Sequence, residues 1–225
     1  MNWLLTILTS SIGKKILMAL TGLFLISFLI VHASINAMIF YNDGGVTFTH
    51  WAHFMATNFI IRTIEIFLVI GFVLHIIQGL VLWMQNRKAR GSERYSVVTQ
   101  PGNVTWYSRS MTLLGTLILL FLVIHTSNFW IPNRVHQFTT GEELPLYAMM
   151  LAVFQKPIEV IIYLVGVGSL FWHLLHGFRS SLQTLGLNHP KYNNFFVASG
   201  VIFSVVICLL FAAMPVSIYL GLLGN

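Results

Sequence analysis

Charge and cysteine are what this sequence lacks. Of its 225 residues only 8% are Asp, Glu, Lys or Arg, six of them acidic, and Cys208 is the single cysteine. One thiol excludes an internal disulfide, a multi-thiolate zinc site and the four cysteines that an iron–sulfur cluster usually takes. No Cys-x-x-Cys-His occurs, so a covalently attached c-type haem is excluded too. The net charge is +6, but the cations flank apolar runs instead of gathering into one basic patch, which argues against a nucleic-acid partner.

What is present is apolar. Hydrophobic residues make up 56% of the chain and mean hydropathy is +0.81, far outside the range of soluble domains. The composition predicts an all-α integral membrane protein with membrane lipid around it, a single transmembrane domain over 1–225. About 20 residues at about 1.5 Å each cross a hydrocarbon core of about 30 Å. Five runs meet that length, at about 16–40, 59–84, 111–131, 158–183 and 195–223. The run after Lys14-Lys15 is longer than a signal-peptide core and more spans follow it, so it reads as a retained first helix. Residues 1–13, short, apolar and interrupted by Ser and Thr, read as a segment lying at the interface. The connectors carry turn chemistry: Asn42-Asp43-Gly44-Gly45, Arg90-Gly91-Ser92, Pro101-Gly102-Asn103, Pro132-Asn133, Gly141-Glu142-Glu143 and Gly186-Leu187-Asn188-His189-Pro190.

Basic residues set the orientation. Lys14, Lys15, Arg87, Lys88, Arg90, Arg94, Arg109, Arg179 and Lys191 fall on one side, against Arg62, Arg134 and Lys156 on the other. The positive-inside rule therefore predicts a cytoplasmic N-terminus and an external C-terminus.

Each of the first four runs holds a histidine well inside it: His32, His75, His125 and His173. Ionisable residues are costly in a span and mark pathways or ligand sites. For any one of them, a hydrogen bond to a neighbouring helix is an equally good account. Their depths carry more information. His32 lies 17 residues beyond Lys15 and His125 lies 16 beyond Arg109, roughly 25 Å up from the cytoplasmic side. His75 is 13 residues past Arg62 and His173 is 17 past Lys156, about 20 to 25 Å below the outer side. The four thus sort into an outer pair and an inner pair, roughly 15 Å apart, each drawn from alternate helices. Isolated structural histidines have no reason to pair by level, whereas a haem between two helices needs one axial imidazole from each at a common height. Small residues one turn away would clear space for a macrocycle: Gly71 and Gly79 about His75, and Ser169 and Gly177 about His173. His176, between Trp172 and Ser180, is the poorer ligand. Phe28, Phe121 and Phe129 flank the outer pair, either on ring edges or facing lipid. Arg179 suits a haem propionate, or snorkels to the surface.

The stretch Ser10 to Gly22 (SSIGKKILMALTG) leading to His32, with His173-x-x-x-Gly177-Phe178-Arg179, resembles the cytochrome b membrane anchor of succinate:quinone oxidoreductases, in its single-chain, five-helix, two-haem class. The resemblance covers essentially the whole chain. It implies two haem b groups, a proximal one on His75 and His173 and a distal one on His32 and His125. It also implies a bacterial cytoplasmic membrane, a flavoprotein subunit carrying FAD, an iron–sulfur subunit, both cytoplasmic, and electron exchange between succinate or fumarate and a quinone, typically menaquinone. A quinone is expected near the distal haem, where Asn36, Asp43, His50, His53, Arg62 and Glu65 supply polar groups. His50 with His53, and Arg62 with Glu65, are spaced to share a helix face, the latter as an ion pair. Some members place a glutamate two residues before the helix-4 ligand for proton movement; here that residue is Phe171. Two other functions have sequence patterns of their own. A proton-coupled transporter with a histidine relay calls for inverted repeats, and the one internal echo, His75-x-x-x-Gly79 with His173-x-x-x-Gly177, is parallel. A quinol:cytochrome c type cytochrome b places two ligands on each of two helices, a spacing no helix here has.

Overall fold

A computed structural model describes residues 10–90, 106, 110–187 and 189–224. The segment before residue 10, the loop with Arg94, Arg109 and the Gly91-Ser92 and Pro101-Gly102-Asn103 turns, and Asn188 lie outside the described residues. Among the described residues every regular element is a helix, as composition predicts.

Helix α1 (Ser11–Asn36) runs into a 3₁₀ turn (Ala37–Tyr41). A short helix α2 (Val46–Thr57) follows, then α3 (Phe59–Arg90). Next comes α4 (Met111–His125), which continues through a π-helical turn (Thr126–Trp130) into α5 (Ile131–Thr140) as one rod. Then come α6 (Leu146–Phe154), α7 (Pro157–Thr184) and α8 (Asn193–Tyr219). Five of these stretches are long and apolar enough to cross a membrane: Ser11–Tyr41, Phe59–Lys88, Met111–Thr140, Pro157–Thr184 and Asn193–Tyr219. The chain is a multi-pass membrane bundle.

Two expectations need correcting. Residues 10–13 do not lie apart at an interface: Ser10 caps α1, its hydroxyl accepting from the Gly13 N–H at 3.0 Å, so the first span starts at Ser11. The connectors also hold more structure than turns. Asp43 accepts from the Thr47 N–H at 2.9 Å and from the Thr47 hydroxyl at 2.6 Å, satisfying a free donor at the start of α2 and holding its carboxyl below the usual carboxylate range. Gly45, at φ 84°, turns the chain where a Cβ would lie 2.4 Å from the Tyr147 ring. Glycine is required there on both counts.

Packing arranges the first four spans as a square. α1 lies against α3 and α7, the α4 rod lies against α7 and more lightly against α3, and α8 packs outside the square on α7 and α1. The α1–α4 and α3–α7 pairs stand diagonally across. α7 has the largest buried share of the five spans and α3 and the α4 rod the smallest, so α7 is the post around which the others stand. Lys14 and Lys15, Arg87 and Lys88, Arg179 and Lys191 all come to one end of the bundle, here the basic end. At the far end, α2 and α6 close over a core that includes Ile39, Phe48, Met150, Phe154, Tyr163 and Met214.

Candidate functional site: two histidine pairs on the bundle axis

Both histidine pairs expected from depth are brought together. His75 on α3 and His173 on α7 have ring centroids 6.2 Å apart with planes at 69°. His32 on α1 and His125 at the end of α4 have centroids 5.7 Å apart with planes at 88°. Each pair joins a diagonal of the square. Packed neighbours are about 8 to 10 Å apart, so helices across a diagonal are too far apart for ordinary ridge-into-groove packing. Long side chains reaching in from both sides meet on the axis.

The two levels are read off α7 itself. Tyr163 touches His125, and ten residues later comes His173, about 15 Å along the helix. On α1, Thr21 touches His75, and His32 comes eleven residues later, about 16 Å.

At the basic-end pair the tautomer follows from hydrogen bonding. The Thr21 hydroxyl donates to the Leu17 carbonyl at 2.8 Å, so its oxygen is left to accept from His75 Nδ1–H at 3.1 Å. The Nε2 lone pair of His75 is then free for a ligand. Among the described residues, His173 Nδ1 is buried without a hydrogen-bond partner, as is Gln78 Oε1, three residues beyond His75. Such an orphan costs about 1 to 3 kcal/mol unless something in the functional state satisfies it.

At the far-end pair, aromatic rings hold the imidazoles. Phe28 stacks on His32 at 5.1 Å, and Phe121 stacks on His125 at 5.6 Å, with Phe129 at 5.8 Å on the other side. The flanking phenylalanines therefore pack on the histidines and do not simply face lipid. Gly166 makes room for this: a Cβ there would sit 2.4 Å from the Phe121 ring.

The small residues around the basic-end pair divide. A Cβ at Gly71 would meet Phe24 at 3.0 Å, so this glycine serves the close approach of α1 to α3, whereas one at Gly79 would make only an ordinary contact with Met18 at 3.7 Å. A Cβ at Gly177 would meet nothing within 4 Å among the described residues. A Cβ at Gly22 would lie 3.5 Å from His75 Cε1, so this glycine of α1 faces His75. His176 lies within electrostatic reach of His173 and Arg179. Arg179 is exposed and lines a crevice with Gln183, Asn193 and Phe196, about a third of a turn around α7 from His173.

Of the residues expected near a quinone, Asn36, Asp43, His53 and Arg62 have separate hydrogen-bond partners. Asn36 donates to the His32 carbonyl at 2.8 Å, its amide nitrogen lying 3.4 Å from His32 Nδ1, and so belongs to the far-end histidine pair. Asp43 is engaged at the start of α2. His50 and His53 line an open cleft of about 480 Å³ with Gly44, Gly45, Val46 and Thr49, and His53 Nδ1 lies 3.1 Å from Glu143. Arg62 and Glu65 pair as their spacing suggests. Glu65 also accepts from Trp130 Nε1 at 2.7 Å and from Arg134 Nε and Nη2 at 3.0 and 2.7 Å, tying α3 to the α4–α5 rod.

No family model, curated protein or solved structure matches this chain.

The donor sets can be tested against what they would hold. With a metal–imidazole bond of about 2 Å on each side and the half-width of each ring added, two axial imidazoles have centroids roughly 6 Å apart. Both pairs meet that spacing. Two imidazoles at this spacing fit a haem, whose porphyrin would supply the remaining donors to the iron.

Proposed function

We propose that this chain is the dihaem cytochrome b anchor of a succinate:quinone oxidoreductase, sitting in a bacterial cytoplasmic membrane with its basic end inward. The observation that carries the reading is the meeting of four histidines as two pairs on the two diagonals of one four-helix square. His75 and His173 would hold one haem b, and His32 and His125 the other, each by its ring nitrogens. Bound there, the haems would supply one-electron carriers at two depths of the membrane.

The chain's own part is positional. Thr21 fixes the tautomer of His75, Phe28 and Phe121 set the ring planes of His32 and His125, and apolar spans exclude water from the axis. The basic end would dock the cytoplasmic iron–sulfur subunit and, through it, the FAD-bearing flavoprotein. Quinone, menaquinone in the class the sequence resembles, would react toward the far end.

Haem content is the test. Purified protein should give two non-covalent b-type haems per chain in a pyridine haemochrome assay. His173→Ala should lose one of them, and His176→Ala should keep both. A ratio near one in the wild type removes the two-site reading. A colourless protein removes haem altogether and leaves a proton-relay transporter as the account of the buried histidines.

A further inference from the structure

The far-end pair is not symmetric in its support. His32 Nδ1 faces the amide nitrogen of Asn36, a donor, at 3.4 Å. His125 Nδ1 instead faces the Tyr163 hydroxyl, at 3.3 Å. A phenolic oxygen accepts as well as donates, so His125 has across from it the kind of group that a metal-bound imidazole uses for its second N–H.

Tyr163 is held for that position from several sides. Its ring is 5% exposed and lies edge-on to Phe154 at 4.8 Å and to Phe121 at 5.1 Å. Asn128 donates to its oxygen at 3.2 Å, and the same amide nitrogen lies 3.2 Å from Glu159 Oε2. Asn128 sits in the π-helical turn that begins directly after His125, and insertions of this kind recur at functional sites. The turn thus follows the histidine directly and carries the group that orients the histidine's partner.

Resting on the two-haem reading, we propose that Tyr163, oriented by Asn128 and Glu159, is a positioning residue for His125: its oxygen accepts from Nδ1–H, keeps the Nε2 lone pair directed at His32, and raises the basicity of the imidazole as an iron ligand. A more basic axial ligand favours the oxidised metal. Removing the acceptor therefore raises the midpoint potential of the far-end haem and leaves the other haem where it was.

The test uses two independent readings of Tyr163→Phe. In the full chain with its haems, potentiometric titration of the α-band should show both haems retained and one midpoint moved upward. In the reduced, haem-loaded protein, ¹⁵N NMR of His125 should find Nδ1 protonated and hydrogen-bonded in the wild type, with that hydrogen bond lost in Tyr163→Phe. Unchanged midpoints in a haem-replete Tyr163→Phe protein, or an Nδ1–H signal that the substitution does not move, would overturn the assignment. Absence of haem from the wild type would sink the function proposed above and this inference with it.

Discussion

At the scale of single residues, hydroxyls decide how the imidazoles are presented. Thr21 is placed so that its own proton goes to the Leu17 carbonyl and its oxygen is left for His75. Thr21→Val preserves shape but leaves His75 Nδ1–H buried and unpaired, at a cost of about 1 to 3 kcal/mol. The variant should melt at lower temperature in micelles and bind less haem, and Thr21→Ser should restore both. Equal behaviour of the Val and Ser variants would mean that the threonine is there for packing alone. The histidines were legible in the sequence because depth depends only on counting along a helix. Thr21 and Tyr163 were not. Which hydroxyl meets which ring depends on the rotation of one helix against another, and near-uniform apolarity around each span leaves no stripe from which to read that rotation. Gly71 shows the same limit: its spacing from His75 suggested room for a cofactor, yet the space is taken by Phe24 of α1.

At the scale of elements, the α4–α5 rod shows where local pattern ends. The sequence stops its third span at Ile131, at the Pro132-Asn133 turn signal, whereas the helix continues to Thr140. Proline is tolerated there because it stands next to a π-helical turn, where the backbone is already re-registered. The same stretch delivers Trp130 and Arg134 to Glu65 on α3. α3 has few other attachments to that side of the square, so this latch matters for its placement. Glu65→Gln removes the charge from a forked arginine contact in which both side chains are more than four-fifths buried, and should cost about 1 to 3 kcal/mol. Arg62→Gln, on the more open side of the same carboxylate, should cost under about 1 kcal/mol. Thermal unfolding of the two variants in one detergent checks the order, and a larger loss for Arg62→Gln would place the weight of the latch on the wrong arginine. The helices α2 and α6 were missed for a related reason: both lie in connectors read for their turn residues, and neither is long enough to span.

At the scale of the whole molecule, the five spans and their alternation were legible from length and hydropathy, and the histidine levels followed from them. The square was not, since nothing in a run of leucines and isoleucines says which neighbour it will meet. Orientation is tested most simply with single cysteines. Because Cys208 is buried, a Cys208→Ser background carrying Lys156→Cys should react with a membrane-impermeant maleimide added to intact cells, and one carrying Lys191→Cys should react only after the cells are opened. The opposite result would invert the bundle and exchange the outer and inner sites.

The diagonal arrangement also bears on how the protein is made. Each pair draws its two histidines from spans that are not consecutive in the chain, so neither can be completed by a hairpin of adjacent helices. During synthesis the first site to possess both its histidines is the one between α1 and α4, once residue 125 has emerged; the other waits for residue 173. Tyr163 and Gly166 arrive in between, on the same late helix. The order of translation therefore has the far-end pair gain its histidines before Tyr163 and Gly166, and α7, inserted fourth, steadies one pair and completes the other in a single passage into the membrane.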